Sequence, residues 1–261
     1  MNKGIAVWNY QGDCVENAHI FHRMGFDAVS WLGRHFDAHT PEEDERVAQC
    51  ICDTQMIFTI HHRMPDPQNN EECSAFLKGI EHIAAWHDTW HLLTGLTFDF
   101  TFPHKMLMPY METVLRTFRG SGVFIACEDT PLNQHTHEAF LSVLNKQDNF
   151  GILIDAGHMN IRHTLKELHE EQDFINAICA LPVPLKEIHL SDNNGRIDEH
   201  AGLGKGTLPL AAFVHGLRKS GFDGIATIER VPRNEQVEQS RIHAKESLSA
   251  FMAQWEKVRN N

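Results

Sequence analysis

Gly151-Ile-Leu-Ile-Asp155 is a short apolar run that stops on a carboxylate. Three other segments end in a similar way. Val123-Phe-Ile-Ala-Cys runs into Glu128, Leu185-Lys-Glu-Ile-His-Leu carries His189 near its end, and Ile225-Ala-Thr-Ile runs into Glu229. Short runs rich in β-branched residues, alternating with longer amphipathic stretches, predict parallel strands alternating with helices. In a closed parallel barrel the C-terminal strand ends converge on one mouth, so three carboxylates and an imidazole would meet there. Such a cluster needs a cation, because bare carboxylates repel one another and their desolvated charges are costly.

Outward from these four segments the same alternation covers the chain. Strands are expected over 5–8, 28–32, 56–60, 93–98, 123–127, 152–154, 186–190 and 225–228. Helices are expected over 15–24, 42–53, 71–87, 106–118, 137–146, 165–180, 208–220 and 234–258. The expected fold is therefore α/β, a single (β/α)8 TIM barrel spanning 1–261 as one domain, and a length of 261 residues suits it. Gly25-Phe-Asp and Gly221-Phe-Asp-Gly supply helix-ending glycines before the second and eighth strands, a connection used twice. Leu248, Phe251, Met252 and Trp255 form a stripe at helical spacing that reads as packing against the barrel wall. Met64-Pro-Asp-Pro-Gln-Asn-Asn70 reads as a polar surface loop at the mouth.

Bulk composition narrows the function. Hydrophobic residues at 42% and charged residues at 22% are ordinary for a soluble globular chain. A formal net charge of −12 disfavours nucleic acid as a partner, since duplex binding relies on Lys and Arg displacing counterions. The N-terminus enters a strand-like run at once, without a signal-peptide pattern, and no apolar segment approaches the ~20 residues needed to span a bilayer. Cys14, Cys50, Cys52, Cys73, Cys127 and Cys179 form no C-x-x-C pair, so a reducing cytoplasm is the expected setting. Among the 19 histidines, His82, His87, His169 and His215 fall on helical faces and read as surface residues.

Three segments carry a more specific signature: Ile188-His-Leu-Ser-Asp-Asn-Asn-Gly-Arg-Ile-Asp-Glu-His-Ala-Gly-Leu-Gly-Lys-Gly-Thr207, Ile154-Asp-Ala-Gly-His-Met-Asn160 and Ala126-Cys-Glu-Asp-Thr-Pro-Leu-Asn133. With Thr227-Ile-Glu-Arg230 they resemble the xylose-isomerase-like barrel superfamily, which includes sugar isomerases and epimerases, inosose dehydratases and endonuclease IV. That resemblance implies a divalent metal held by Glu128, Asp155, His189 and Glu229. The donor set is mostly hard oxygen, which suits Mn²⁺ or Mg²⁺, with Co²⁺ or Zn²⁺ as alternatives. Any one of these acids alone would read as a helix cap at a strand end; four at successive strand ends read as a metal site.

The resemblance further implies that His158 and Arg196 contact substrate oxygens. In the endonuclease branch Asp198 and His200 supply zinc ligands, and His61 in Thr59-Ile-His-His-Arg-Met64 resembles another. The fourth strand departs from that branch, with Asp99 where a metal-binding histidine is expected. Gly202, Gly204 and Gly206 around Lys205 lack the Walker spacing and read as loop geometry, not as a phosphate cradle. The function expected from these residues is a metal-dependent isomerase or epimerase of a small polyhydroxylated carbonyl compound, working through an enediolate. Glu128 and Glu229 would act as its general base and acid from opposite sides of the substrate. The alternatives are a multi-zinc phosphodiesterase like endonuclease IV and an inosose-type dehydratase. The expected partner is a sugar-like small molecule, with no membrane, and a homo-oligomer is compatible with the sequence.

Overall fold

Eight parallel strands pair in chain order, and the last closes on the first. They are β1 (Asn2–Ala6), β2 (Ala28–Leu32), β3 (Ile57–Arg63), β4 (Leu93–Asp99), β5 (Phe124–Glu128), β6 (Phe150–Asp155), β7 (Leu185–Leu190) and β8 (Ile225–Ile228). The computed structural model describes residues 1–99, 104–128, 149–161, 171–179, 181 and 183–259. Among these residues the helices are α1 (Cys14–Arg23), α2 (Gly33–Phe36), α3 (Pro41–Thr54), α4 (Asn70–Trp90), α5 (His104–Thr117), α6 (Ala156–Ile161), α7 (Glu171–Cys179), α8 (Leu210–Lys219) and α9 (Val237–Arg259). The helix expected over 137–146 lies outside the described residues, and of the one expected over 165–180 the described part is α7.

Local chemistry sets the helix ends. Asp13 caps α1 by accepting from Glu16 N, and Asn69 caps α4 by accepting from the backbone of Glu71 and Glu72. Thr40 opens α3 with a reciprocal capping box to Glu43, followed by Pro41 in the first turn, where its missing N–H costs nothing. The two glycine turns repeat in detail. Gly25 (φ 95) and Gly221 (φ 75) both adopt left-handed backbone, and the following phenylalanines reach back to Phe21 O and Leu217 O. One helix-to-strand joint is thus used before both β2 and β8.

Some expectations change. The first strand is Asn2–Ala6 and not 5–8: Asn2 and Lys3 pair through their backbones with Ile225 and Ala226, which needs no apolar side chain. Val7–Asn9 leaves the ladder as a turn of 3-10 helix. His87 is buried, not a surface residue, with Nε2 3.4 Å from Ser121 O. It sits on the core side of α4 with Ile83 and Trp86, so a polar residue occupies an inward position of the helix. His82 is half-buried beside Asp44, His215 is exposed, and His169 lies outside the described residues.

The core lies between barrel and helices, with Trp31, Phe36, Phe58 and Trp86 meeting largely edge to face. Leu248, Phe251 and Trp255 of α9 are buried in it, and Met252 packs at its margin. Met64, expected in a polar loop, is fully buried. No disulfide joins any of the six cysteines among the described residues, and no helix there is long and apolar enough to cross a membrane.

Candidate metal centre

Strand register brings the acids and imidazoles to one level of the barrel. Glu128 ends β5 opposite Asp99, Asp155 ends β6 opposite His189 of β7, and Glu229 follows β8 with its N–H bonded to Leu190 O at 3.0 Å. Asp155, His189 and Glu229 are buried and bring donor atoms within 4.8 Å of one another. Glu128 belongs to two further trios of the same tightness, one with Asp155 and His158 and one with His61 and His189.

Burial and the close pairing of carboxylates with imidazoles set the electrostatics. Glu128 is pushed up to about 7 by burial, although its Oε1 lies 2.6 Å from His158 Nδ1. Asp155 is raised by burial as well. Glu229 experiences the same burial, but His189 and His200 outweigh it and hold the carboxyl down at about 2. His158 is driven up to about 12, chiefly by the charge of Asp155. Burial lowers His189 less than Glu229 and Glu187 raise it, so its net shift is well upward. Burial takes His61 down to about 3.

The predicted residues divide into those inside this cluster and one outside. His61 bonds through Nδ1 to Thr97 Oγ1 at 2.9 Å and approaches Glu128 through Nε2 at 3.6 Å. Trp8 lies nearly parallel to the His61 ring, with centroids 5.8 Å apart. His158 sits not in a loop but in the first turn of α6, which starts directly after Asp155; its backbone N–H caps onto Asp155 Oδ1. Asp198 Oδ2 bridges His158 Nε2 at 3.2 Å and His200 Nε2 at 2.9 Å. Asp198 is held below the ordinary carboxylate range despite partial burial, because both rings donate to it. His200 is raised to about 10, its carboxylate neighbours overcoming burial, and its backbone is left-handed at φ 45. Non-glycine residues held in that region are commonly found at functional sites. Arg196 lies on an exposed loop, with its N–H on Asn194 Oδ1, and is not brought into the cluster.

The glycine-rich loop does cradle an anion, and the anion is internal. Asp192, buried just after β7, accepts from Gly204 N and Gly206 N at 2.9 Å, from Leu208 N at 3.0 Å and from Asn193 N at 2.8 Å. A Cβ on Gly206 would lie 2.1 Å from Asn193 O, so this approach requires glycine. Asp192→Ala is expected to lower stability by about 3 kcal/mol, since hydrogen bonds to a charged group contribute ~1.5–3 kcal/mol and their loss leaves buried donors unmatched. Urea unfolding of Asp192→Ala beside Asp192→Asn measures it, and an unchanged midpoint for Ala would contradict the assignment.

The donor set fits a divalent cation. Asp155 Oδ2 and both ring nitrogens of His189 are buried without an aligned hydrogen-bond partner among the described residues, an arrangement that is costly unless an ion or a bound molecule engages them. Glu187 and Thr227, buried below His189, and Trp8 above His61 were not singled out in the sequence. Strand alternation alone could have found Glu187, two residues before His189.

Fold and rim together define an eight-fold βα barrel with a carboxylate and histidine cluster at the C-terminal mouth. A family model described as xylose isomerase-like TIM barrel matches residues 19–247, and the chain belongs to that family. The uncharacterized protein MJ1311 of Methanocaldococcus jannaschii is 28% identical over 138 residues, which cover 51% of this chain; the match spans 45% of that relative's length. The structure of an L-ribulose 3-epimerase superposes with a TM-score of 0.74 at 16% identity, covering 99% of this chain and 96% of that one. A 3-keto-D-glucoside 4-epimerase from E. coli superposes with a TM-score of 0.71 at 19% identity, covering 97% and 99%.

Proposed function

We propose that the protein is a divalent-metal-dependent isomerase or epimerase of a small sugar or related polyhydroxy carbonyl compound. The observation that carries this reading is the buried trio Asp155, His189 and Glu229, with donor atoms within 4.8 Å, beside a cavity of about 500 Å³ lined in part by Trp8, His61 and Glu229. A cavity of this volume is in the range that holds small molecules. The epimerase structures to which the fold is similar support the same reading.

Glu128, Asp155, His189 and Glu229 would hold the ion, with Mn²⁺ the first choice for three carboxylates and one imidazole and Mg²⁺, Co²⁺ or Zn²⁺ as alternatives. When bound, it supplies polarisation of the substrate carbonyl and neutralises charge that develops on the adjacent oxygens. Glu128 and Glu229 reach the mouth from β5 and β8, separated by β6 and β7, and serve as the base and acid that move a proton at the carbon next to the carbonyl. Asp155 and His189, the more deeply buried pair, mainly retain the ion. His158, held between Glu128 and Asp198, presents its ring to substrate oxygens, and Trp8 offers an aromatic face to the sugar's C–H groups. The exposed Arg196 would reach substrate only by moving.

The test is proton exchange. The Mn²⁺-loaded enzyme, incubated with a panel of ketoses and inososes in heavy water, is expected to place deuterium next to the carbonyl and to yield the epimer or isomer. Exchange followed by loss of water would point to the dehydratase chemistry. No exchange with any compound, with metal bound, would defeat the proposal. A second reading, a multi-zinc phosphodiesterase, draws on the His158, Asp198 and His200 trio as a further cation position. It predicts more than one zinc per chain and salt-sensitive DNA binding, which a net charge of −12 disfavours.

A further inference from the structure

β7 carries a second acid facing the same way as His189. Glu187 precedes it by two residues, so both side chains leave the strand on one side, with Glu187 one step deeper in the barrel. It is fully buried. Its Oε1 accepts from Thr227 Oγ1 at 2.6 Å and lies 3.7 Å from His189 Nε2, while Oε2 has no hydrogen-bond partner among the described residues. On the other edge of the same ring, His189 Nδ1 lies 3.0 Å from Glu229 Oε2. The imidazole thus stands between a carboxylate of the mouth and a carboxylate of the interior.

A neutral imidazole presents a lone pair on one nitrogen only when the other carries the proton. We propose that Glu187 is a positioning residue: it takes the Nε2–H of His189 and so fixes the tautomer whose Nδ1 lone pair faces the cation site. Thr227 in turn fixes the rotamer of Glu187. Space for that threonine comes from Gly4 of β1, where a Cβ would stand 2.5 Å from Thr227 Oγ1. The 3.7 Å separation is an ion-pair distance, and the arrangement has it close to hydrogen-bond length once Nδ1 is engaged. This inference rests on the metal-centre reading above and adds to it a partner on the ion's far side, of the kind that orients histidine ligands in metal sites.

A positioning role and a purely structural one move two measurements in different directions. Glu187→Gln keeps the shape and removes a buried carboxylate with one unmatched oxygen, so the melting temperature measured without added metal should not fall. Affinity for Mn²⁺ should drop by about 10- to 100-fold, and the visible spectrum of the Co²⁺-loaded protein should change. Thr227→Val should weaken Mn²⁺ binding in the same direction by less. A structural role predicts the reverse, a lower melting temperature with unchanged Mn²⁺ affinity, and that result overturns the proposal while leaving the metal centre standing. Should neither variant fold, the ¹⁵N-histidine spectrum of the Zn²⁺-loaded wild-type protein reads the tautomer directly: Nε2–H at His189 supports the assignment and Nδ1–H refutes it. A wild-type chain that takes up no Mn²⁺, Co²⁺ or Zn²⁺ would overturn both this assignment and the reading beneath it.

Discussion

On the proposed mechanism Glu229→Gln is expected to lose about three orders of magnitude in turnover, within the 10²- to 10⁴-fold that a positioned acid or base contributes, while the barrel stays folded. The carboxylate is nearly buried, with Oε2 3.0 Å from His189 Nδ1 and 3.8 Å from His200 Nδ1. An amide of the same size still fills that place but can neither accept the substrate proton nor contribute negative charge to the ion. Because the lost interaction is made chiefly as the proton moves, kcat and kcat/KM should fall together, with KM nearly unchanged. Glu128→Gln should behave likewise from the β5 side. Deuterium incorporation by the Mn²⁺-saturated variants measures the effect, and full activity in Glu229→Gln would show that the two-carboxylate scheme is wrong.

The second large effect concerns the ion itself. Asp155→Asn combined with His189→Gln removes two donors of the buried trio and should weaken Mn²⁺ binding by more than the roughly 100-fold that loss of an outer partner can cause. The consequence reaches stability. A ligand present at 100 times its Kd stabilises the native state by about 2.7 kcal/mol, and a chain of this size gains roughly 2–4 °C per kcal/mol. Added Mn²⁺ should therefore raise the wild-type melting temperature by roughly 5–10 °C and leave that of the double variant where it was. Elemental analysis should find metal in the wild type and little in the variant. Equal metal content in the two would place the ion elsewhere.

Much of this was legible before any coordinates, and the reasons differ by residue. β2 and β8 lie where the apolar runs lie, because a strand covered on both faces writes its limits in hydrophobic residues. β1 and β3 do not. Asn2 and Lys3 join the ladder through backbone alone, and β3 continues past Ile60 through His61 and His62, whose polarity suits a mouth and disguises a strand. The short helices α2 and α6 leave no periodicity to detect in so few residues. The placement of Glu128, Asp155, His189 and Glu229 could be read because three of them close an apolar run and His189 stands one residue short of the end of another. Glu187 was missed because a buried acid inside such a run contradicts the pattern used to find it. Asp198, by contrast, follows His189 by a loop whose path no sequence rule dictates, so its bridge between His158 and His200 needed coordinates. The resemblance named Asp198, His200 and His158 without indicating that bridge.

Concavities of successive backbone N–H groups ordinarily serve to bind a phosphate or another anionic guest. Here Asp192 occupies that concavity from within the chain. The segment that bears Asp198 and His200 is therefore tied down by the chain's own hydrogen bonds, so association of the proposed substrate at this rim need not expend binding free energy on ordering it. On the proposed function, selectivity then falls to the side chains lining the mouth, and redesign for a new substrate should leave Asp192 and its glycines untouched.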